Sequence, residues 1–447
     1  MRWKRLLPAR LFFLCIFFVW ILFVQAEDKG EKTELNEKAV LADYLEHGAL
    51  YNPGLKAAFS QWKAALRRAD QAGYLPDPKF NYTYFVRHIE TRVGPQRHRF
   101  MIMQKFPWFG KLRYQKDAAK KAAQEMYWAY VKKKNQLFYD ITKAYYEYYL
   151  LKQRIDLTRS HRKLISQVEG AARAGYKAGT IPYSNLLSLQ VELARLADRV
   201  NSLESARTPF SIRLSRLINR TIHDPLLPWP TSIPEKKFTA EKTTIMEIIQ
   251  KNNPDLNRLK NAAQKHEAAR NYAGKKYYPD FSIGASYMET GEAVIPGQAD
   301  SGKDPIGVTL SITIPMWPGK YRAGVREAEQ RRTAARLSAQ DTGNRLYTRI
   351  SMSLFEIDDQ SRRINLYRKT LLPKARQAFE TSRRNFETGK GDFTELIEAE
   401  RIVLQYELMA VKAVVARLNH IAYIEMIAGD NNVALSSNKT EETTDEK

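Results

Sequence analysis

From Lys111 to Glu169 the chain contains neither proline nor glycine, and no other feature constrains its fold as strongly. At about 1.5 Å per residue, a continuous helix over this run is a rod of roughly 90 Å, far longer than an ordinary globular helix. The run is entered through QKFPWFGK (Gln104 to Lys111), which follows a short alternating segment, Arg99 to Gln104. A strand period gives way to a helix period across one Pro-aromatic-Gly joint. The event recurs at ITIPMWPGK (Ile312 to Lys320), which leads into a second helical run. The pattern predicts a strand-and-rod unit built twice.

Other pieces repeat in register. Asn52-Pro53-Gly54-Leu55 matches Asn253-Pro254-Asp255-Leu256, and Gly73 and Pro78 recur 201 residues later as Gly274 and Pro279. The turn Tyr176 to Leu187 matches Phe386 to Ile397 at an offset of 210. The nine additional residues are expected mostly between the strands of the second half, where a surface loop tolerates insertion. This gives a first repeat over 27–224, a proline-rich linker over 225–240, a second repeat over 241–428 and a polar tail over 429–447. Strands are predicted near 79–87, 99–106, 280–288 and 306–314, with a charged loop over 88–98. Helical hairpins should turn near 175–184 and 386–394. Leu137, Ile141, Ala144, Tyr148, Leu151 and Ile155 step alternately by four and three, which is a heptad seam. The return run from Leu186 to Leu217 keeps that spacing apart from Arg207.

The amino terminus predicts export. Arg2, Lys4, Arg5 and Arg10 precede the apolar run Leu11 to Val24, and Val24-Gln25-Ala26 resembles a cleavage site, giving a signal peptide over 1–26. Cleavage lowers the formal net charge from +23 to +19 and removes Cys15, the only cysteine. No disulfide or cysteine-ligated metal is then available. Leu14 before Cys15 argues against a lipoprotein cleavage site. The basic balance permits nucleic-acid binding, but no zinc-finger spacing, RNP-like strand or compact basic helix-turn-helix accompanies it. Phosphate-loop, nucleophile-elbow and zincin motifs are absent too, so no enzymatic activity and no cofactor or metal site is expected.

No later stretch approaches 18 consecutive apolar residues, so a second membrane could be crossed only by strands. Four strands cannot close a bilayer-spanning barrel, whereas three chains supply twelve. Rods with one apolar stripe likewise need partners. The competing reading is a soluble periplasmic coiled-coil scaffold whose alternating segments are edge hairpins.

Taken in order, the NP-x-L and PDP starts, the doubled strand pairs, QKFPWFGK and the doubled Gly-x-x-x-aromatic-x-x-Leu turns make the chain resemble outer-membrane efflux proteins of the TolC type. The wording of QKFPWFGK is most similar to the heavy-metal branch that includes CzcC and CusC. The resemblance implies an α+β membrane protein in the Gram-negative outer membrane with a large periplasmic portion. Its homotrimer would form a twelve-stranded β-barrel, four strands per chain, continuous with a long periplasmic α-helical barrel. Implied partners are outer-membrane lipid, a periplasmic adaptor (membrane fusion) protein and an inner-membrane transporter, of the RND type or alternatively an ABC transporter. The function implied is a passive exit duct for metal cations or small toxic compounds, with a type I protein secretion channel or polymer exporter as the alternative.

The resemblance also assigns residues. Pro107 and Gly110, with Pro315 and Gly319, would let barrel wall become helix wall. Trp108, Phe109 and Trp317 are either interface aromatics or packing plugs. Gly179, Leu186, Gly389 and Leu396 match the adaptor-contacting tips, positions that also serve hairpin packing. Glu395 and Glu398, spaced i, i+3, are the periplasmic gate candidates, with a solvated helix face as the alternative.

Overall fold

The computed structural model describes residues 39–221, 225–234, 236–388 and 390–429. The expected signal peptide, Cys15, Gly389 and nearly all of the polar tail lie outside them. Within them the first repeat comprises α1 (Leu41–Tyr51), α2 (Pro53–Gln71), β1 (Lys79–Ile89), β2 (Gln96–Phe106), α3 (Lys111–Lys177), α4 (Tyr183–Ser205) and α5 (Arg207–Leu217). The second comprises α6 (Lys242–Asn252), α7 (Pro254–Lys275), β3 (Asp280–Thr290), β4 (Ile306–Thr313), α8 (Pro318–Asn365), α9 (Leu372–Glu387) and α10 (Phe393–Ala428).

The repeated NP-x-L pieces have one physical role. Asn52 accepts a hydrogen bond from Leu55 N at 2.9 Å, and Asn253 accepts one from Leu256 N at 3.0 Å. Each asparagine therefore caps a helix whose first residue is proline, where the missing N–H costs nothing. Their amides also reach across the fold. Asn52 Nδ2 donates to Leu217 O at 2.8 Å, and Asn253 Nδ2 donates to Ile427 O at 2.7 Å. Each side chain thus ties the start of its repeat to the end of that repeat's return helix.

The strands form one antiparallel sheet in the order β1-β2-β3-β4, and the pairing of β2 with β3 joins the two repeats. The register stacks Phe80 on Ile102, Tyr82 on Phe100, Phe100 on Tyr287, Ile102 on Ala285 and Ile283 on Leu310. One face is therefore apolar, while Thr83, Met101, Ser286, Ser282 and Ser311 point to the other. The first hairpin loop is shorter than the charged stretch 88–98 suggests, covering only residues 90–95. The strand continues through Arg87 and His88 by way of a register shift between Tyr84 and Ile89, after which Ile89 pairs with Gln96. The second loop, residues 291–305, carries the extra length and docks on the first through Gly291 N to Pro95 O and Gly302 N to Val93 O, both 2.8 Å.

The long helix α3 has 67 residues, about 100 Å at the standard rise. It runs through Gly170 and Gly175 and stops at Lys177, inside the stretch 175–184 where the turn is expected. All six seam residues from Leu137 to Ile155 are buried. The return path breaks at Ala206, between α4 and α5. Pro209 cannot donate to Ser205 O, so one helical bond is necessarily missing there. Arg207, the exception in the seam, lies 4.6 Å from the Trp229 ring centre and donates to Tyr148 Oη at 3.2 Å. Tyr148 in turn donates to Leu227 O at 2.9 Å, and Tyr145 to Ser232 O at 3.2 Å. Buried tyrosines of α3 thereby fasten the proline-rich linker.

Candidate functional site

The residues singled out in the sequence fall in two regions, the strand-to-helix joints and the hairpin ends, beside the apolar sheet face. At the first joint Gly110 has φ +87°, a conformation that favours glycine, and it caps α3. Trp108 stacks on Tyr278 with ring centres 5.2 Å apart and leans on Phe281 at 5.6 Å. Asp280 holds the joint together. Its Oδ1 accepts from Trp108 N at 2.9 Å and pairs with Lys111 Nζ at 2.6 Å, and its Oδ2 lies 3.1 Å from Lys105 Nζ. Lys111 is buried and also donates to Tyr278 O at 2.9 Å.

The second joint is built differently. Pro318 starts α8, and Gly319 sits inside its first turn without the positive φ expected of a turn glycine. Pro315 is half-buried, as is Pro107. Phe109 and Trp317 are 81% and 70% exposed, Phe109 touching only the Trp108 ring, edge-on at 5.9 Å, among the described residues, so of the three joint aromatics only Trp108 packs against the strand start of the second repeat.

At the first hairpin end Gly179 has φ +76° and donates to Tyr176 O at 3.0 Å, while Thr180 N closes the turn on Gly175 O at 2.9 Å. Leu186 and Leu396 are 5% and 0% exposed and lie in one apolar cluster with Leu189, Phe379 and Phe386. Their side chains therefore serve hairpin packing, and the exposed apolar groups nearby are Tyr176, Tyr183 and Leu187. Glu395 and Glu398 are exposed on α10. Neither forms an ion pair among the described residues.

A charged group that the sequence reading missed lies deeper between the hairpins. His161 of α3 hydrogen-bonds Glu400 Oε1 at 2.7 Å through Nδ1 and Glu407 Oε2 at 2.9 Å through Nε2, both on α10. Arg376 of α9 donates to Glu407 Oε1 at 2.6 Å. Burial alone would push the imidazole pKa down, but the hydrogen bonds and charges of Glu400 and Glu407 outweigh it and raise it to about 9. Burial pushes the Glu407 carboxyl up, and hydrogen bonds from His161 and Arg376 hold it below its usual value. A second bridge, Arg401 to Glu192 at 2.5 Å, links α10 to α4. Among the described residues no group of three or more His, Cys, Asp or Glu side chains is arranged to hold a metal ion. No described helix is long and apolar enough to cross a membrane.

A family model for "Outer membrane efflux protein" matches residues 245–429, nearly the whole second repeat. No curated protein matches the sequence. The structure is similar to that of the outer-membrane channel OprN, with TM-score 0.71 and 17% identity over 87% of this chain and 89% of that one. It is similar as well to the outer membrane protein VceC of Vibrio cholerae, with TM-score 0.71 and 17% identity over 88% and 96%. CusC gives TM-score 0.74 and 12% identity over 87% and 92%. The chain has the fold of these outer-membrane channels. An identity of 12% to CusC beside 17% to OprN and VceC gives no pull toward the heavy-metal branch.

Proposed function

We propose that this chain is the outer-membrane exit duct of a tripartite efflux assembly, inserted in the Gram-negative outer membrane as a homotrimer. The observation that carries the reading is the four-stranded sheet, apolar on one face and open at β1 and β4, running directly into two long helices, α3 of 67 residues and α8 of 48, about 100 and 70 Å at the standard rise. An apolar sheet face fits lipid, but open edges do not, because unpaired N–H and C=O groups find no water there. Further copies would close the sheet, and three give twelve strands. Phe109 and Trp317 are then interface aromatics, since exposed rings of this kind gather at bilayer boundaries. The match of residues 245–429 to the efflux family supports the transport role.

The duct is passive in this reading. An inner-membrane transporter, of the RND type or alternatively an ABC transporter, supplies the energy and selects the cargo, metal cations or small toxic compounds. The adaptor protein meets the hairpin ends around Gly179 and Gly389, using Tyr176, Tyr183 and Leu187 rather than the buried Leu186 and Leu396. Three copies of Glu395 and Glu398 form a cation-attracting constriction. Planar-bilayer conductance, with particle mass measured in the same detergent preparation, tests the proposal. A conducting trimer of low conductance is expected, and a non-inserting monomer or dimer overturns it. In an inserted trimer, Glu395→Ala with Glu398→Ala should raise conductance and weaken cation preference. Unchanged values remove the gate assignment.

A further inference from the structure

The internal repeat specifies how one copy pairs with the next. Closing the sheet in the outer-membrane reading sets β4 of one chain antiparallel to β1 of the neighbouring chain, and we propose the register of that seam: Thr313 stands directly opposite Thr83. The register follows from pairings inside the chain. Lys79 and Asp280 are equivalent residues, each following the repeated proline. Lys79 pairs with Met103, and Asp280 pairs with Thr313, so Met103 and Thr313 are equivalent too. Met103 also pairs with Gly284 on its other side. Gly284 is equivalent to Thr83 at the offset of 201. Repeating the β2-to-β3 pairing at the open edge therefore sets Thr313 against Thr83.

An independent observation agrees with this register. It places Ile314 opposite Tyr82, Ile312 opposite Tyr84 and Leu310 opposite Val86, all exposed in the single chain. The apolar face then continues across the seam, and Thr313 and Thr83 meet on the polar face. A slip of one residue would set apolar side chains of one copy against polar ones of the other. The occupant of the edge is thus a second copy of this chain, whose β1 carries the matching alternation.

The inference rests on the outer-membrane reading, and its test separates the two. In the full chain carrying Cys15→Ser, Thr83→Cys with Thr313→Cys should give covalently linked multimers on oxidation, because directly opposed residues have Cβ atoms within about 5.5 Å. Asn81→Cys or Phe85→Cys with Thr313→Cys keeps the face but shifts the register by two, and the yield should fall at least several-fold. Co-expressed Thr83→Cys and Thr313→Cys chains should stop at covalent dimers, which guards against misfolding of the doubly substituted chain. Equal or higher yield from a shifted pair, or no cross-link from protein recovered in the outer-membrane fraction, overturns the register. Protein absent from that fraction overturns the membrane reading instead.

Discussion

The two strand-to-helix joints are written with similar residues and finished in opposite ways. In the first, Trp108 is stacked, Gly110 is left-handed and Lys111 is buried on Asp280. In the second, Trp317 and Lys320 are exposed, and Lys320 has no ion pair among the described residues. The cause is the strand beside each joint. β3 starts with Asp280 next to the first joint, whereas the equivalent residue, Lys79, starts β1 at the far edge of the sheet. The two repeats share an order of elements, but only the first joint is completed within one chain. On the proposed trimer reading, the exposed aromatic and charged groups at the second joint are where a neighbouring copy would pack.

Asp280 offers the largest test of that contrast. Asp280→Ala leaves Lys111 buried without its carboxylate, and breaking a buried pair costs about 3–5 kcal/mol. Lys320→Ala should change the stability of the separated chain by less than about 0.5 kcal/mol, as surface substitutions do. Thermal unfolding in detergent, followed by circular dichroism, reads both. Similar losses from the two substitutions would mean that the first joint is no better closed than the second.

The hairpins differ as well, and pH separates them. At the offset of 210, His161 corresponds to Leu371, Glu400 to Gln190 and Glu407 to Ala197, so the buried charge cluster has no copy. A histidine whose pKa is raised on folding stabilises fully below its unfolded value and loses that contribution as pH rises through the folded value. Stability should therefore fall between about pH 6.5 and 9, by on the order of 3 kcal/mol. Glu407, held low, stabilises above its unfolded value and loses that contribution as pH falls into the acid range. His161→Gln should flatten the alkaline limb and leave the acid limb sloping. An unchanged alkaline limb would show that His161 does not titrate against these glutamates.

What could be read in the sequence is what local chemistry writes. Alternation marks the strands, Pro107 and Gly110 stand at the first joint, and the steps from Leu137 to Ile155 mark the buried seam, whereas Asn52 and Asn253 are legible as repeated residues but not as helix caps. The missed residues depend on which rod lies beside which. Asp280 meets Lys111 from 169 positions away, and Glu400 meets His161 from 239. Seam spacing tells which face is buried but does not name the neighbour. One signal was present: His161 continues the buried spacing of Ile155, Thr158 and Ile165, and a titratable group there needs a partner. At the hairpin end, the same seam logic explains why Leu186 and Leu396 turn inward.

The asparagine ties should give smaller effects. Asn253→Ala removes a cap and the bond to Ile427 O, together about 2 kcal/mol. Asn52→Ala should cost somewhat less, because Asn52 is only half-buried and water can replace part of what is lost. The order of the two unfolding midpoints checks this. A reversed order would mean that the first repeat relies more on its tie than the second does.

The smallest effect concerns where each hairpin breaks. In the first repeat the outgoing helix α3 is continuous and the return path breaks before Pro209. In the second the return helix α10 is continuous, and the outgoing path passes through a wider turn, Leu366–Leu371, where Leu372 N bonds Tyr367 O five residues back. Pro373 explains this turn, since it cannot donate and its ring crowds the preceding carbonyls. Backbone amides of 366–372 should exchange with solvent faster than those of 155–165 in α3, by roughly tenfold if the local opening is about 1.4 kcal/mol easier. Pro373→Ala should narrow the gap by restoring an ordinary helical bond. If exchange in 366–372 is already as slow as in α3, the wider turn is rigid, and any movement of the second hairpin must pivot at its ends.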